Sequence, residues 1–168
     1  MRVGEACALD RDNVDLEEGL LTIRAGKLGK ARQVPLHPAA IAALRDYDQR
    51  RDLLCPAPSS PALFINTRGN RLPARRAPES FAQIREIAGI RPAPGGRNPR
   101  LHDLRHTFCI TALLAWYRAG VDVRAQLPQL STYLGHVDPV STYWYLQATP
   151  ELMSLAADRL DHYLGELP

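Results

Sequence analysis

The stretch from His102 onward constrains the fold most, because it carries successive helix-length apolar patterns punctuated by glycine and proline. Leu104, Phe108, Thr111, Ala112 and Ala115 follow the 3.6-residue period until Gly120 stops it, which predicts a helix beginning at His102. A second helix is expected over about Val123–Leu134, interrupted or kinked near Pro128 and ended by Gly135. Asp138-Pro139 predicts a turn, followed by a short helix around Thr142–Gln147. Pro150-Glu151 then opens a last helix with Leu152, Leu155, Ala156, Leu160 and Tyr163 on one stripe. A chain that ends in this way is built largely from packed helices.

The first hundred residues read differently. Gly4 to Leu9 has the pattern of a helix end, and Gly19–Arg24 is a short β-branched and aliphatic run. Ala25–Lys30 is turn-like, and Arg32–Leu36 is a second extended run, so the two pair as a β-hairpin with Lys27 and Lys30 in its turn. Pro38 opens a helix to about Leu54 with Ile41, Leu44 and Tyr47 on one face. After the Cys55–Pro61 loop, Leu63–Asn66 reads as a third strand closed by Arg68-Gly-Asn70. Pro78 starts a helix with Phe81, Ile84 and Ile87 facing inward, and Arg91–Arg100 is an exposed Pro/Gly/Arg loop. The fold class is therefore mainly α with a small antiparallel β-sheet (α+β). The 168 residues suffice for one domain with a real core, or one domain with a tail.

Charge narrows the partner. The net charge is +3, but residues 1–100 carry +6 and residues 101–168 carry −3. Nine arginines fall between Arg68 and Arg105, an excess that suits a polyanion such as DNA phosphate. Nineteen arginines against two lysines, beside abundant Ala and Pro, fit a GC-rich coding sequence. Cys7, Cys55 and Cys109 are odd in number and widely spaced, which argues against a disulfide scaffold or a zinc knuckle. The longest apolar run, His106–Tyr117, is too short to span a membrane, and MRVGEACALD lacks the apolar core of a secretory signal. Cytoplasmic location is expected.

Several polar residues recur near the predicted helix ends: Arg2, Lys27, His102, Arg105, His136 and Tyr145. The spacing of three in His102-Asp-Leu-Arg105 sets an imidazole and a guanidinium on one side of a helix, suited to gripping a tetrahedral oxyanion. His102-Asp-Leu-Arg-His-Thr-Phe108, then Leu134-Gly-His136, then Tyr145 nine residues on, resembles the catalytic half of the tyrosine recombinases, the phage integrase family. Upstream, Arg2-Val-Gly-Glu-Ala-Cys-Ala-Leu9 is similar to the family's Arg-x-x-Glu-x-x-x-Leu segment. Gly26–Leu36 resembles its lysine-bearing β-turn, with Lys27 at the catalytic position.

The resemblance implies a chemistry for each residue. Tyr145 would attack the scissile phosphate of double-stranded DNA, giving a 3′-phosphotyrosyl link and a free 5′-hydroxyl. Arg2 and Arg105 would clamp the non-bridging oxygens, fixed positive charge taking the place of a metal ion, so that no cofactor is implied. His102 and His136 would donate to phosphate oxygens or help move the tyrosine proton. Lys27 would protonate the leaving 5′-oxygen, which arginine does not do because it keeps its proton. Self-association on DNA, a tetramer in the family, would use the C-terminal helix; folding of that helix back onto its own domain is the alternative. The last residues resemble recombinases of mobile elements more than housekeeping resolvases.

Competing readings attach to particular residues. Tyr143 is a rival nucleophile, although the family interval favours Tyr145; Glu5 either buttresses Arg2 or is an ordinary exposed helix carboxylate. His102 and His106 also stand at i and i+4, the spacing of a zinc hydrolase, with Asp103 replacing the usual Glu and His136 as a third ligand. The resemblance implies that residues 1–168 are a catalytic domain lacking its first helix and the helical domain that precedes it in the family. With Met1 as the start, Arg2 would sit on a frayed terminus, so weak activity or none is expected of the isolated chain. A catalytically inactive DNA-binding remnant is the corresponding alternative.

Overall fold

The three-stranded antiparallel sheet of the computed structural model takes its register from apolar alternation. β1 (Val14–Asp15), β2 (Leu20–Ile23) and β3 (Arg32–Pro35) lie in the order β1-β2-β3. Leu21 pairs with Val34, and Ile23 with Arg32. Leu21, Ile23 and Val34 are buried, so a slip of one residue would turn the sheet's apolar set to water. The structure describes residues 1–24, 31–135, 145 and 150–165. It divides into two compact units, Met1–Leu101 and His102–Pro168.

In the first unit, α1 (Val3–Ala8) precedes a 3-10 turn at Arg11–Asn13 and the sheet. α2 (Pro38–Leu54) begins where the sequence places it, with Pro38 at its first position and His37 Nδ1 accepting from the Ala39 N–H at 3.2 Å. Its inner face carries Ile41, Leu44 and Tyr47 and continues into Arg51, whose side chain is buried and donates to the Ala62 carbonyl at 3.0 Å. Arg11 forks onto Asp48 and Asp52 at 2.6 and 2.7 Å, tying the 3-10 turn to α2.

Two expectations for this unit are corrected. Leu63–Asn66 is not a strand; the third strand is β1. Its backbone groups are satisfied piecemeal instead of by a ladder. The Leu63 N–H donates to the Leu9 carbonyl, Leu72 donates to the Phe64 carbonyl, and the Tyr47 hydroxyl bridges the Leu63 carbonyl and the Ile65 N–H. α3 (Ala77–Ile87) forms with proline in its first turn, yet only Phe81 of the predicted inward set is partly buried. Ile84 and Ile87 are 61% and 87% exposed. A 3.6-residue apolar period marks a face that can be buried; it does not supply the neighbour that buries it.

The second unit packs α4 (Leu101–Arg118), α5 (Val123–Leu134) and α6 (Pro150–Gly165). Its core joins Cys109 and Leu113 of α4, Val123, Leu127, Leu130 and Leu134 of α5, Tyr145, and Leu152 of α6. The predicted stripe of α4 is shifted by one residue. Leu104, Phe108, Thr111 and Ala115 are exposed, while Arg105, His106, Cys109, Leu113 and Trp116 make the inner face. The reason is chemical: an arginine and a histidine occupy core-facing positions, so apolarity no longer marks the buried side. Phe108 instead stacks on Tyr133, with ring centroids 5.1 Å apart.

α5 starts at Asp122, whose carboxylate accepts from the Arg124 and Ala125 N–H groups, and runs through Pro128 as one element. It ends at Gly135 with φ +74°, the left-handed conformation that a residue with a Cβ adopts only under strain. The short helix expected around Thr142–Gln147 lies outside the described residues apart from Tyr145. Leu152 is fully buried in this unit, so the start of α6 folds back on it. Among the described residues no helix is long and apolar enough to cross a membrane. The architecture is mainly helical with one small antiparallel sheet, the class expected from the sequence.

Candidate active site

α4 carries four side chains at spacings of three, one and three residues: His102, which is exposed, Arg105 and His106, which are half-buried, and Cys109, which is buried. Arg105 is aimed by the end of α5. Its Nη1 donates to the Leu134 carbonyl at 2.7 Å, one of the carbonyls left without an intrahelical partner where Gly135 terminates the helix. Thus anchored, the guanidinium charge acts on the Tyr145 phenol and pulls its pKa down. Tyr145 and Cys109 are buried in the same core. The His106 ring lies 5.3 Å from the Tyr145 ring, and His102 stands edge-on to His106 at 4.7 Å.

Tyr145 is 4% exposed, and Cys109 is fully buried. Burial and the Cys109 sulfur push the phenol above its ordinary range, while Arg105 pulls in the opposite direction without prevailing. The Cys109 thiol is likewise pushed up by burial, against the opposing pull of Tyr145 and Arg105. Both groups hold their protons at neutral pH. The arrangement is a neutral phenol at a fixed cation.

In the first unit Arg2 is the N-cap residue of α1, and Glu5 organises it. The Glu5 carboxylate accepts from the Arg2 N–H at 2.7 Å and stands 3.6 Å from the Arg2 guanidinium. It also receives both arms of Arg32, at 3.2 and 2.8 Å. Glu5 is thus the buttress and not an exposed helix carboxylate: its side chain is 8% exposed. Burial alone would raise its pKa. The Arg32 hydrogen bonds, the Arg2 N–H and the Arg32 charge outweigh burial and hold it below the usual carboxylate range. The terminus expected to fray has both backbone groups of Arg2 bonded, since its carbonyl accepts from the Ala6 N–H at 3.0 Å.

The other end of α1 is pinned by Arg71, which donates to the Cys7 and Leu9 carbonyls and pairs with Asp10. Part of the arginine excess therefore serves the fold. Arg71 and Arg85 bind backbone carbonyls, and Arg76 pairs with Glu79 at 2.7 Å.

A family model described as the phage integrase family matches residues 1–151. The chain belongs to the phage integrase family. An integrase/recombinase of Sinorhizobium fredii named y4rB is 45% identical over 162 residues, spanning 96% of this chain and 52% of that protein. The tyrosine recombinase XerA of Pyrococcus furiosus is 28% identical over 98% of this chain and 53% of its own length. The crystal structure of a XerA recombinase superposes with a TM-score of 0.73 at 26% identity, covering 99% of this chain and 53% of that one. The chain thus spans about half the length of the curated relatives it matches.

Among the site residues expected of a phage integrase, the structure brings Arg105 and Tyr145 together and sets His102 beside them through His106. Arg2 lies in the first unit with Glu5 and Arg32. Lys27 and His136, like Lys30 and the rival Tyr143, lie outside the described residues. Nothing supports the zinc hydrolase reading of His102 and His106: among the described residues no group of three His, Cys, Asp or Glu side chains could hold a metal ion. Sequence reasoning passed over Arg32, Arg71 and Cys109. Arg32 could have been found as the first residue of the strand that follows the lysine turn, with Glu5 as the family's carboxylate; Cys109 carried no signal beyond its place one turn after Arg105.

Proposed function

We propose that this chain carries out site-specific cleavage and rejoining of double-stranded DNA, with Tyr145 as the nucleophile. Arg105 carries this reading, because its permanent charge acts on the phenol of a tyrosine in the family's sequence position. In the proposed step the Tyr145 oxygen bonds to phosphorus as the bond to the 5′-oxygen breaks, leaving a 3′-phosphotyrosyl link and a free 5′-hydroxyl. The phenol proton leaves through His102 or His136, and Lys27 supplies a proton to the departing oxygen. Arg2 and Arg105 hold the non-bridging oxygens; removing one such donor typically costs about 10²–10³ in rate. The phosphodiester energy stays in the covalent link, so rejoining needs no nucleotide. Assembly of several copies on DNA in the cytoplasm, as catalytic domains of a mobile-element recombinase, belongs to the same proposal.

Covalent trapping tests it. The chain is incubated with nicked duplexes tiled from the DNA that flanks its gene, and protein–DNA adducts are resolved on a denaturing gel. An adduct lost in Tyr145→Phe and kept in Tyr143→Phe is the expected result. An adduct kept in Tyr145→Phe overturns the assignment, and retained DNA binding with no adduct from any duplex favours a non-catalytic DNA-binding role.

A further inference from the structure

In the first unit one carboxylate serves two guanidiniums, and the chemistry proposed above uses only one of them. Glu5 takes the Arg2 N–H at 2.7 Å and both arms of Arg32 at 3.2 and 2.8 Å, while the Arg2 guanidinium stands off at 3.6 Å. Two guanidiniums against one carboxylate leave the three side chains with one net positive charge. That charge falls to the partner that meets water, since the Arg2 side chain is 37% exposed and those of Arg32 and Glu5 are 11% and 8%. The amino group of Met1 also acts on Glu5, more weakly than Arg32 does.

Stability alone gives a poor account of Arg32. A buried ion pair is often matched by apolar residues of the same volume, because taking two charges out of water offsets their attraction. Arg32 carries a further penalty: its Nε is buried with no hydrogen-bond partner among the described residues. Its position is fixed by the sheet, where it opens β3 and pairs with Ile23 of β2. What Arg32 adds there, and an apolar residue would not, is charge.

We propose that Arg32 is a positioning residue for phosphate binding: by matching the charge of Glu5, it leaves the charge of the Arg2 guanidinium for a phosphate oxygen while Glu5 still holds the Arg2 backbone. This rests on Arg2 being a phosphate ligand. Without Arg32, Glu5 turns to Arg2, and the 3.6 Å contact closes into an ion pair that competes with DNA. Arg32 acts only through Glu5 and Arg2.

Two single substitutions separate this role from a structural one, because both break the same pair. Arg32→Met leaves the three positions neutral, and Glu5→Gln leaves them with two positive charges. The first readout uses the full chain without DNA: modification of Arg2 by phenylglyoxal, followed by peptide mass spectrometry. The reagent attacks a guanidinium in an ion pair more slowly, since pairing favours the protonated form. The second readout is single-turnover adduct formation on the nicked duplex, compared at equal folded fraction.

Arg32→Met should slow the modification of Arg2 by about 2–5-fold, the size of one partly exposed ion pair, and Glu5→Gln should speed it. Arg32→Met should also slow adduct formation by about 10-fold, short of the 10²–10³ expected for losing a phosphate donor outright. Arg32→Lys, which keeps the charge, should restore most of both. A structural role predicts instead that both single substitutions loosen the same helix end and speed the modification alike. That result, or an Arg2 unaffected by Arg32→Met, overturns the proposal. Should Arg32→Met fold poorly, Arg32→Gln, which keeps a donor for Glu5 without the charge, gives the same contrast with Arg32→Lys. An adduct rate insensitive to Arg2→Met overturns the phosphate role of Arg2, a failure that the modification series reads separately from one at Arg32.

Discussion

Replacing Glu5 by Gln tests whether the surroundings of Arg2 in the first unit are electrostatically built. The carboxylate takes two hydrogen bonds from Arg32, whose side chain is 11% exposed, and one from the Arg2 N–H, with the Arg2 guanidinium at 3.6 Å. Gln keeps the shape and one acceptor oxygen but removes the charge, leaving Arg32 almost buried without an anion. Breaking a fully buried pair costs about 3–5 kcal/mol. Glu5 and Arg32 retain some contact with water, and the amide oxygen still accepts, so the expected loss is about 2–3 kcal/mol. Both tryptophans, Trp116 and Trp144, lie in the second unit, so the readout is urea-dependent amide exchange of Leu21, Ile23 and Val34 in the first.

The pH dependence is the sharper test. Because Glu5 is held below the ordinary carboxylate range, its contribution is complete above the unfolded value of about 4.3 and is lost as pH falls through the lower folded value. The gap between the parent and Glu5→Gln should therefore be full at neutral pH and close as the pH drops below about 4. A gap of constant size across that window would refute the reasoning, because it would mean that the loss comes from shape and not from charge.

Two further outcomes follow from the geometry. Arg105→Lys keeps a donor for the Leu134 carbonyl but loses the fork; adduct formation on a nicked duplex should fall by about 10²–10³ while DNA affinity in a gel-shift assay changes little. The glycines of the first unit should divide by space and conformation. Gly4→Ala, in a helix with nothing within 4 Å of the added methyl, should stabilise by about 0.5–1 kcal/mol. Gly69→Ala, at φ +76° with the Pro58 Cα only 3.1 Å from the new Cβ, should destabilise by more than about 1 kcal/mol, both read from urea midpoints.

How much of this was legible in the sequence depends on which physical signal each element used. Helix ends were legible wherever a side chain or backbone constraint acts locally: Pro38 opens α2, and Gly135 closes α5. The β2–β3 hairpin was legible because its pairing is short-range and its alternation clear. What failed was the phase of burial. In α4 the inner face is set by Arg105 and Cys109, and a hydropathy count puts arginine outside. In α3 the apolar face exists and stays largely exposed. For the site, residue identity came from motif order, whereas the partners that orient each residue came only from the fold. Arg32 is 27 positions from Glu5, and the Leu134 carbonyl is 29 from Arg105; no local pattern reports either contact.

The bond from Arg105 to the end of α5 has a consequence for how such a chain can change over time. One side chain both closes a helix terminus and sets the electrostatics of the tyrosine, so a variant that loses it changes the scaffold and the phenol's environment at once. In the second unit, the integrity of a helix end and the surroundings of Tyr145 are inherited together.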